Sequence, residues 1–210
     1  MSGTDRQIET QEIVCPGGMP AFLARPAAPG HYPVVVLIHE RYGLVPHTRD
    51  LAKKCASDGF LVVAANYFYK HPDQKALNAG DDRYPMTDAE AIDYINASLE
   101  AIAKHAAADL SRVAVAGYCQ TGRHPLVYAS QAKISAAVVC RARTSTRSES
   151  EPTGTGPRTA TPSKRPSNAG SAFVAATAAP VLAGIKLAAA ARPRRKSLVL
   201  GASTSAWLDV

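Results

Sequence analysis

The stretch VAVAGYCQTGRH, residues 113–124, decides the fold of this protein. Its apolar start is typical of a β-strand that is buried on both faces, and a helix-compatible segment follows the glycine-rich turn. A cysteine between such a strand and a helix is the arrangement of a nucleophile elbow. The sharp turn needs small residues two positions before and two positions after the nucleophile. Gly117 meets this requirement, and Thr121 meets it only in part.

This turn predicts a reactive position for Cys119. The thiol would stand exposed above the sheet, at a helix N-terminus that favours its thiolate form. The backbone N–H of Gln120 would then be available to a developing oxyanion. The alternative interpretation is a small buried cysteine that packs before a helix.

Strands alternate with helices on both sides of this turn, which predicts an α/β fold with a doubly wound, mostly parallel sheet. Thr87 or Asp88 is expected to cap the longest helix. The predicted strands are 8–14, 21–24, 34–39, 60–66, 112–117 and 134–140. The predicted helices are 47–58, 87–105 and 122–131.

The composition changes after Cys140. Residues 1–140 contain 13 Lys and Arg against 14 Asp and Glu, a net charge of −1. Residues 141–210 contain 11 Lys and Arg against 3 Asp and Glu, a net charge of +8. We therefore predict a truncated α/β domain over 1–140 and a basic, low-complexity, disordered or off-frame tail over 141–210. A sheet that ends at strand 134–140 would have an uncovered edge and poor stability.

The four cysteines indicate neither a metal site nor a disulfide framework. Cys15, Cys55, Cys119 and Cys140 show no paired spacing and no CxxC motif. The first residues also lack a basic segment followed by an apolar core, so they do not resemble a secretory signal. We expect a cytoplasmic protein without a cofactor or a metal.

Glu40 follows the apolar strand 34–39, at the end of the sheet where ligands bind in such folds. Its carboxylate would either accept the thiol proton or hold the 39–50 loop in place. That loop is also where the second oxyanion donor is expected.

Three segments in this order carry a family resemblance. They are LIHERYGLVPHTRDLA (37–52), LVVAANYFYK (61–70) and VAVAGYCQTG (113–122). Over about residues 8–140 the chain resembles the dienelactone hydrolase family of α/β-hydrolases. The combination is specific, because few hydrolases carry a cysteine in a GYCxxG elbow together with a glutamate after the first core strand.

The resemblance implies a set of site residues. Cys119 would be the nucleophile, and Glu40 would hydrogen-bond the resting thiol and help to generate the thiolate. The backbone groups of Arg41 and Gln120 would be the oxyanion donors. The family's substrates are small lactones and esters, often with a carboxylate that arginines hold, and Arg83 lies in a plausible loop for that contact.

The remainder of a hydrolase triad is not found in the sequence. An acid and a histidine should follow the nucleophile, but no histidine follows His124. The later carboxylates are Glu149, Glu151 and Asp209, none in a suitable place. His39 and His124 are the only nearby substitutes for the missing base. We therefore expect ester hydrolysis at or near background.

Three interpretations of residues 141–210 stay open. The first is a change of reading frame near residue 140, because Arg-, Ala-, Ser- and Pro-rich sequence is typical of off-frame translation of GC-rich DNA. Alternatively, the chain is a non-catalytic, hydrolase-like binding protein whose basic tail contacts nucleic acid or acidic surfaces. A membrane span over 172–191 is disfavoured by Pro180 and Lys186. The expected partner is a small lactone or ester, with neither a membrane nor a nucleic acid.

Overall fold

A computed structural model describes residues 6–140 and the backbone of 198–202. The strands are β1 (Ile8–Cys15), β2 (Met19–Pro26), β3 (Tyr32–Ile38), β4 (Leu61–Ala65), β5 (Ala108–Tyr118), β6 (Ala136–Cys140) and β7 (Leu198–Ala202). The helices are α1 (Pro46–Ser57), α2 (Gln74–Ala79), α3 (Asp88–Ile102) and α4 (His124–Ala129). The strands form one sheet in the order β1-β2-β4-β3-β5-β6-β7.

The sheet is antiparallel at one end and parallel elsewhere. β2 pairs antiparallel with β1 and β4, whereas β3 pairs parallel with β4 and β5. β5 and β6 continue the parallel part. The predicted α/β class with a doubly wound, mostly parallel sheet is confirmed.

Helices cover both faces of the sheet because its central strands are apolar on both faces. Along β3, Val34, Val36 and Ile38 belong to the core beneath α3 and α4. Val35 and Leu37 belong to the core beneath α1. This alternation is the period of two that a strand imposes on its side chains.

The helix boundaries follow local capping. The Thr87 hydroxyl accepts a hydrogen bond from the Glu90 N–H (3.2 Å), and the Glu90 carboxylate accepts one from the Thr87 N–H (2.9 Å). This capping box selects Thr87 over Asp88 as the cap of α3. α3 ends at Ile102, three residues before the predicted end. The sequence did not predict α2, whose only buried residue is Leu77.

The expectation that the sheet ends at β6 is wrong. β7 pairs parallel with β6, from Ala136 opposite Leu198 to Cys140 opposite Ala202. An edge strand pairs through its backbone N–H and C=O groups, so a short apolar run is sufficient to form one. Such a run has no distinctive side-chain pattern, and the sequence therefore did not predict β7.

The other predictions about the tail, including disorder and the 172–191 span, fall on residues outside the described ranges. Within the described residues, no helix combines the length and the apolar character that crossing a membrane requires.

Candidate active site

The candidate site lies at the carboxyl ends of the parallel strands. Ile38 of β3 is opposite Gly117 of β5, and Gly117 is in turn opposite Val139 of β6. The chain segments that follow these strands therefore leave the sheet side by side. This register puts Glu40 and Cys119 on neighbouring strand ends, where α/β folds bind their ligands.

Cys119 occupies a strained turn between β5 and α4. Its φ is +50°, and no other non-glycine residue among those described has a positive φ. This left-handed conformation costs roughly 1–2 kcal/mol for a residue with a Cβ. The cysteine is exposed, whereas Cys15, Cys55 and Cys140 are buried. The position thus has the strained backbone and the exposure predicted for a nucleophile elbow.

The turn closes tightly over Gly117. A Cβ at this position would lie 2.6 Å from the carbonyl oxygen of Thr121 and 2.9 Å from Cδ of Pro125. Both distances are shorter than atomic contact allows, so no larger residue fits without moving the elbow. The contacts agree with the sequence-based requirement for a small residue two positions before the cysteine.

Thr121 has a role that the sequence did not reveal. Its side chain is buried, and Oγ1 accepts a hydrogen bond from the Tyr118 N–H (3.1 Å). The same hydroxyl donates to the carbonyl of His39 (2.8 Å). Thr121 therefore closes the elbow and ties it to the end of β3. The sequence-based requirement concerned only the size of Thr121 and therefore did not predict the hydrogen bonds of its hydroxyl group.

Glu40 lies at the end of β3, half-buried. Burial raises the pKa of its carboxyl group, and the nearby His47 partly opposes this shift. Burial, with the Glu40 charge in addition, raises the pKa of Cys140 to about 12. The carboxyl group thus holds its proton more readily than that of an exposed glutamate.

The two residues expected to supply backbone oxyanion donors flank the site from different strands. Arg41 follows Glu40, and its guanidinium lies 5.2 Å from the centre of the Tyr42 ring. Gln120 follows Cys119 in the 3-10 turn Cys119–Thr121. The first N–H groups of such a turn have no backbone partner within the turn itself.

Arg83 lies on the loop between α2 and α3. Its side chain is exposed, and its backbone N–H donates to Oδ1 of Asp82 (2.7 Å). The neighbouring Tyr84 accepts a hydrogen bond from the Gln120 side chain through its carbonyl (2.7 Å). Arg83 is thus one residue from a direct contact with the elbow.

His39 does not supply the missing base. Its ring is buried, with Nδ1–H donating to the Glu40 carbonyl (2.7 Å) and Nε2 accepting from the Tyr67 N–H (3.0 Å). Burial lowers the pKa of His39 to about 4. Because both nitrogens are occupied by the backbone, this histidine holds the strand ends together.

His124 is also engaged elsewhere. It is buried at the start of α4, with Nδ1 3.2 Å from Oδ1 of Asp88. Burial lowers the pKa of His124, and Asp88 opposes that shift. The neighbouring Arg123 pairs with the same carboxylate (2.6 Å). These contacts join α4 to the start of α3, a connection that the sequence did not indicate.

The strand order, the parallel crossovers and the strained cysteine turn define an α/β-hydrolase fold. The chain belongs to the dienelactone hydrolase family, whose sequence pattern matches residues 19–157. The resemblance predicted from the three sequence segments is therefore confirmed. Proteins of this family are hydrolases of small esters and lactones.

Individual relatives agree with this assignment. A protein of Salmonella typhi named "Putative carboxymethylenebutenolidase" is 30% identical over 117 residues, 53% of this chain and 43% of the relative. A "Probable 2-oxo-3-(5-oxofuran-2-ylidene)propanoate lactonase" of Bradyrhizobium is 28% identical over 127 residues, 56% of this chain and 49% of the relative. The chain thus spans less than half the length of these curated relatives.

A solved structure from the same family has a similar fold. The crystal structure of a "Putative Dienelactone Hydrolase" from Klebsiella pneumoniae superposes with a TM-score of 0.58 at 27% sequence identity. The match covers 64% of this chain and 60% of the Klebsiella chain.

Proposed function

We propose that Cys119 is the nucleophile of a site for small lactones or carboxylic esters. We further propose that this chain takes up the acyl group but turns over at or near background. The observation that carries the proposal is the strained, exposed conformation of Cys119 at the carboxyl edge of the sheet. Such strain is maintained at functional positions and is otherwise avoided.

The proposed acylation uses two side chains and two backbone groups. Glu40 accepts the thiol proton, and the Cys119 sulfur attacks the carbonyl carbon. The N–H groups of Arg41 and Gln120 stabilise the resulting oxyanion. The carbonyl re-forms as the alkoxide leaves with the proton that Glu40 had accepted, and an acyl-thioester remains on the sulfur.

Hydrolysis of that thioester needs a base to activate water. His39 and His124 are both engaged elsewhere, and no later histidine exists in the sequence. Triad enzymes lose most of their rate when one member is absent, although binding and the oxyanion donors preserve a small part. We therefore expect acylation without efficient turnover.

The test is single-turnover acylation with 4-nitrophenyl acetate. The reaction is monitored through the release of 4-nitrophenolate and through the mass of the intact protein. We expect one acetyl group on the wild-type protein and none on Cys119→Ala, because the other three cysteines are buried. Absence of acetylation at Cys119 would refute its role as the nucleophile. Robust turnover of a small lactone, lost in Cys119→Ser, would refute the expected lack of turnover.

The role of Glu40 is tested by the rate at which iodoacetamide alkylates Cys119. Glu40→Gln should alkylate more slowly, and the wild-type advantage should vanish as the pH falls below the raised pKa of Glu40. Glu100→Gln, an exposed glutamate on α3, is the control and should match the wild type. Equal rates for Glu40→Gln and the wild type would assign Glu40 a purely structural role.

The proposed partner of Arg83 is a carboxylate on the substrate. A lactone with a carboxylate should protect Cys119 from alkylation in the wild type, and about tenfold more of it should be needed in Arg83→Ala. The same lactone as its neutral methyl ester is the control, since it should protect both proteins equally. If the carboxylate form protects both proteins equally, Arg83 does not bind the substrate carboxylate.

A change of reading frame near residue 140 would explain why the base and the acid are missing. Translation of the coding DNA beyond codon 140 in the other two frames tests this proposal. We expect one frame to encode a strand followed by an aspartate, and later a histidine before Gly and an aromatic residue. Two frames without these features would favour an authentic basic tail.

A further inference from the structure

The 80–87 loop, which joins α2 to α3, contacts both segments that form the proposed oxyanion site. The Arg41 guanidinium donates through Nη2 to the carbonyl of Gly80. The Gln120 side chain donates through Nε2 to the carbonyl of Tyr84 (2.7 Å). Arg41 follows β3 and Gln120 follows β5, so one loop is bonded to two different strand ends.

Arg41 and Gln120 are also the residues whose backbone N–H groups are the proposed oxyanion donors. A side-chain hydrogen bond restrains the backbone of the residue that makes it. We infer that the 80–87 loop is a positioning element that sets the spacing of the two donors. Arg41 and Gln120 are then positioning residues through their side chains, an inference that rests on the proposed function.

The loop is held firmly enough to act in this way. The Tyr84 ring stacks on Phe68 with ring centres 5.1 Å apart, and its hydroxyl donates to Glu90 (2.7 Å). Asp82 lies 3.1 Å from Nε2 of His71, which belongs to the segment after β4. The loop is therefore fixed to neighbouring elements by contacts other than those to Arg41 and Gln120.

Gly80 permits the close approach of the loop to Arg41. Its φ is +82°, and a Cβ there would lie 2.7 Å from Cε1 of Tyr42 and 3.3 Å from Nη2 of Arg41. A side chain at this position would be strained and would push the loop away from the guanidinium. Glycine is thus favoured by the left-handed backbone, and it also leaves room for the Tyr42 ring and the guanidinium.

The test compares two reactions of Cys119. Acylation by 4-nitrophenyl acetate forms a C–S bond, breaks the ester C–O bond and passes through an oxyanion. Alkylation by iodoacetamide displaces iodide and forms no oxyanion. The ratio of the acylation rate to the alkylation rate therefore reports stabilisation of the oxyanion, separately from thiol reactivity and access.

Gln120→Met keeps the length of the side chain but removes the donor to Tyr84. We expect its acylation-to-alkylation ratio to fall about 3- to 10-fold, the value of one hydrogen bond. Gln11→Met is the control, because it makes the same substitution at an exposed glutamine of β1, at the far end of the sheet from β5. Its ratio should equal that of the wild type.

Gly80→Ala is the second variant and should lower the ratio while both donor residues stay in place. A wild-type ratio in both Gln120→Met and Gly80→Ala would overturn the inference. An equal fall in both rates would also overturn it, because that result indicates a general loosening of the elbow. If wild-type Cys119 is alkylated but never acylated, the proposed function fails, and the inference fails with it.

Discussion

The hydroxyl of Thr121 provides the sharpest test of how the elbow is held. Thr121→Val removes the hydroxyl without changing the shape of the side chain. The change leaves the Tyr118 N–H and the His39 carbonyl, both buried, without the bonds of 3.1 and 2.8 Å that Thr121 makes to them. Each stranded buried group costs about 1–3 kcal/mol, so for the two groups we expect a loss of about 2–6 kcal/mol in the free energy of unfolding.

Thr121→Ser is the matched control because it keeps the hydroxyl and loses only a methyl group. Removal of that buried methyl should cost about 1 kcal/mol. The expected order of stability is therefore wild type, then Thr121→Ser, then Thr121→Val.

Urea unfolding followed by circular dichroism measures this order. A midpoint that shifts at constant slope reports a change in stability. Thr121→Val should also change the rate at which iodoacetamide alkylates Cys119, because the strained turn loses its closing bonds. A Thr121→Val protein as stable as Thr121→Ser would refute the assignment of the hydroxyl as the tie between β3 and the elbow.

Three further predictions follow from burial and close contact. Because the pKa of His39 is about 4 in the fold and 6.5 ordinarily, the unfolded chain binds a proton that the native state does not. The free energy of unfolding should therefore decrease as the pH is lowered from 6.5 to 4. This decrease, measured by urea titration, should be up to about 3 kcal/mol larger in the wild type than in His39→Gln. Gly117→Ala should lose about 1–3 kcal/mol in thermal unfolding and Gly122→Ala less, because the nearest Cβ contact is 2.6 Å at Gly117 and 3.3 Å at Gly122. Equal losses would argue against a steric limit at Gly117. A chain ending at Cys140 lacks β7 and exposes the edge of β6, so light scattering should show faster aggregation than for the full chain. Equal aggregation would mean that β7 does not protect this edge.

The sequence by itself determined the α/β class, most strand positions and the elbow. Runs such as residues 34–38 are apolar throughout, and only a strand covered by helices on both faces buries every position of such a run. Gly117 and Cys119 mark the elbow because the sharp turn restricts which residues fit. The family resemblance followed from local motifs, which are readable without knowledge of long-range contacts.

The tertiary structure alone decided what surrounds the elbow. Thr121 reaches the end of β3, 82 positions away in the chain, and Gln120 reaches Tyr84, 36 positions away. The pairing of β7 with β6 joins residues that are 62 positions apart, from Ala136 opposite Leu198 onward. No local pattern encodes these contacts, because each depends on how the parallel crossovers bring distant strand ends and loops together at one edge of the sheet.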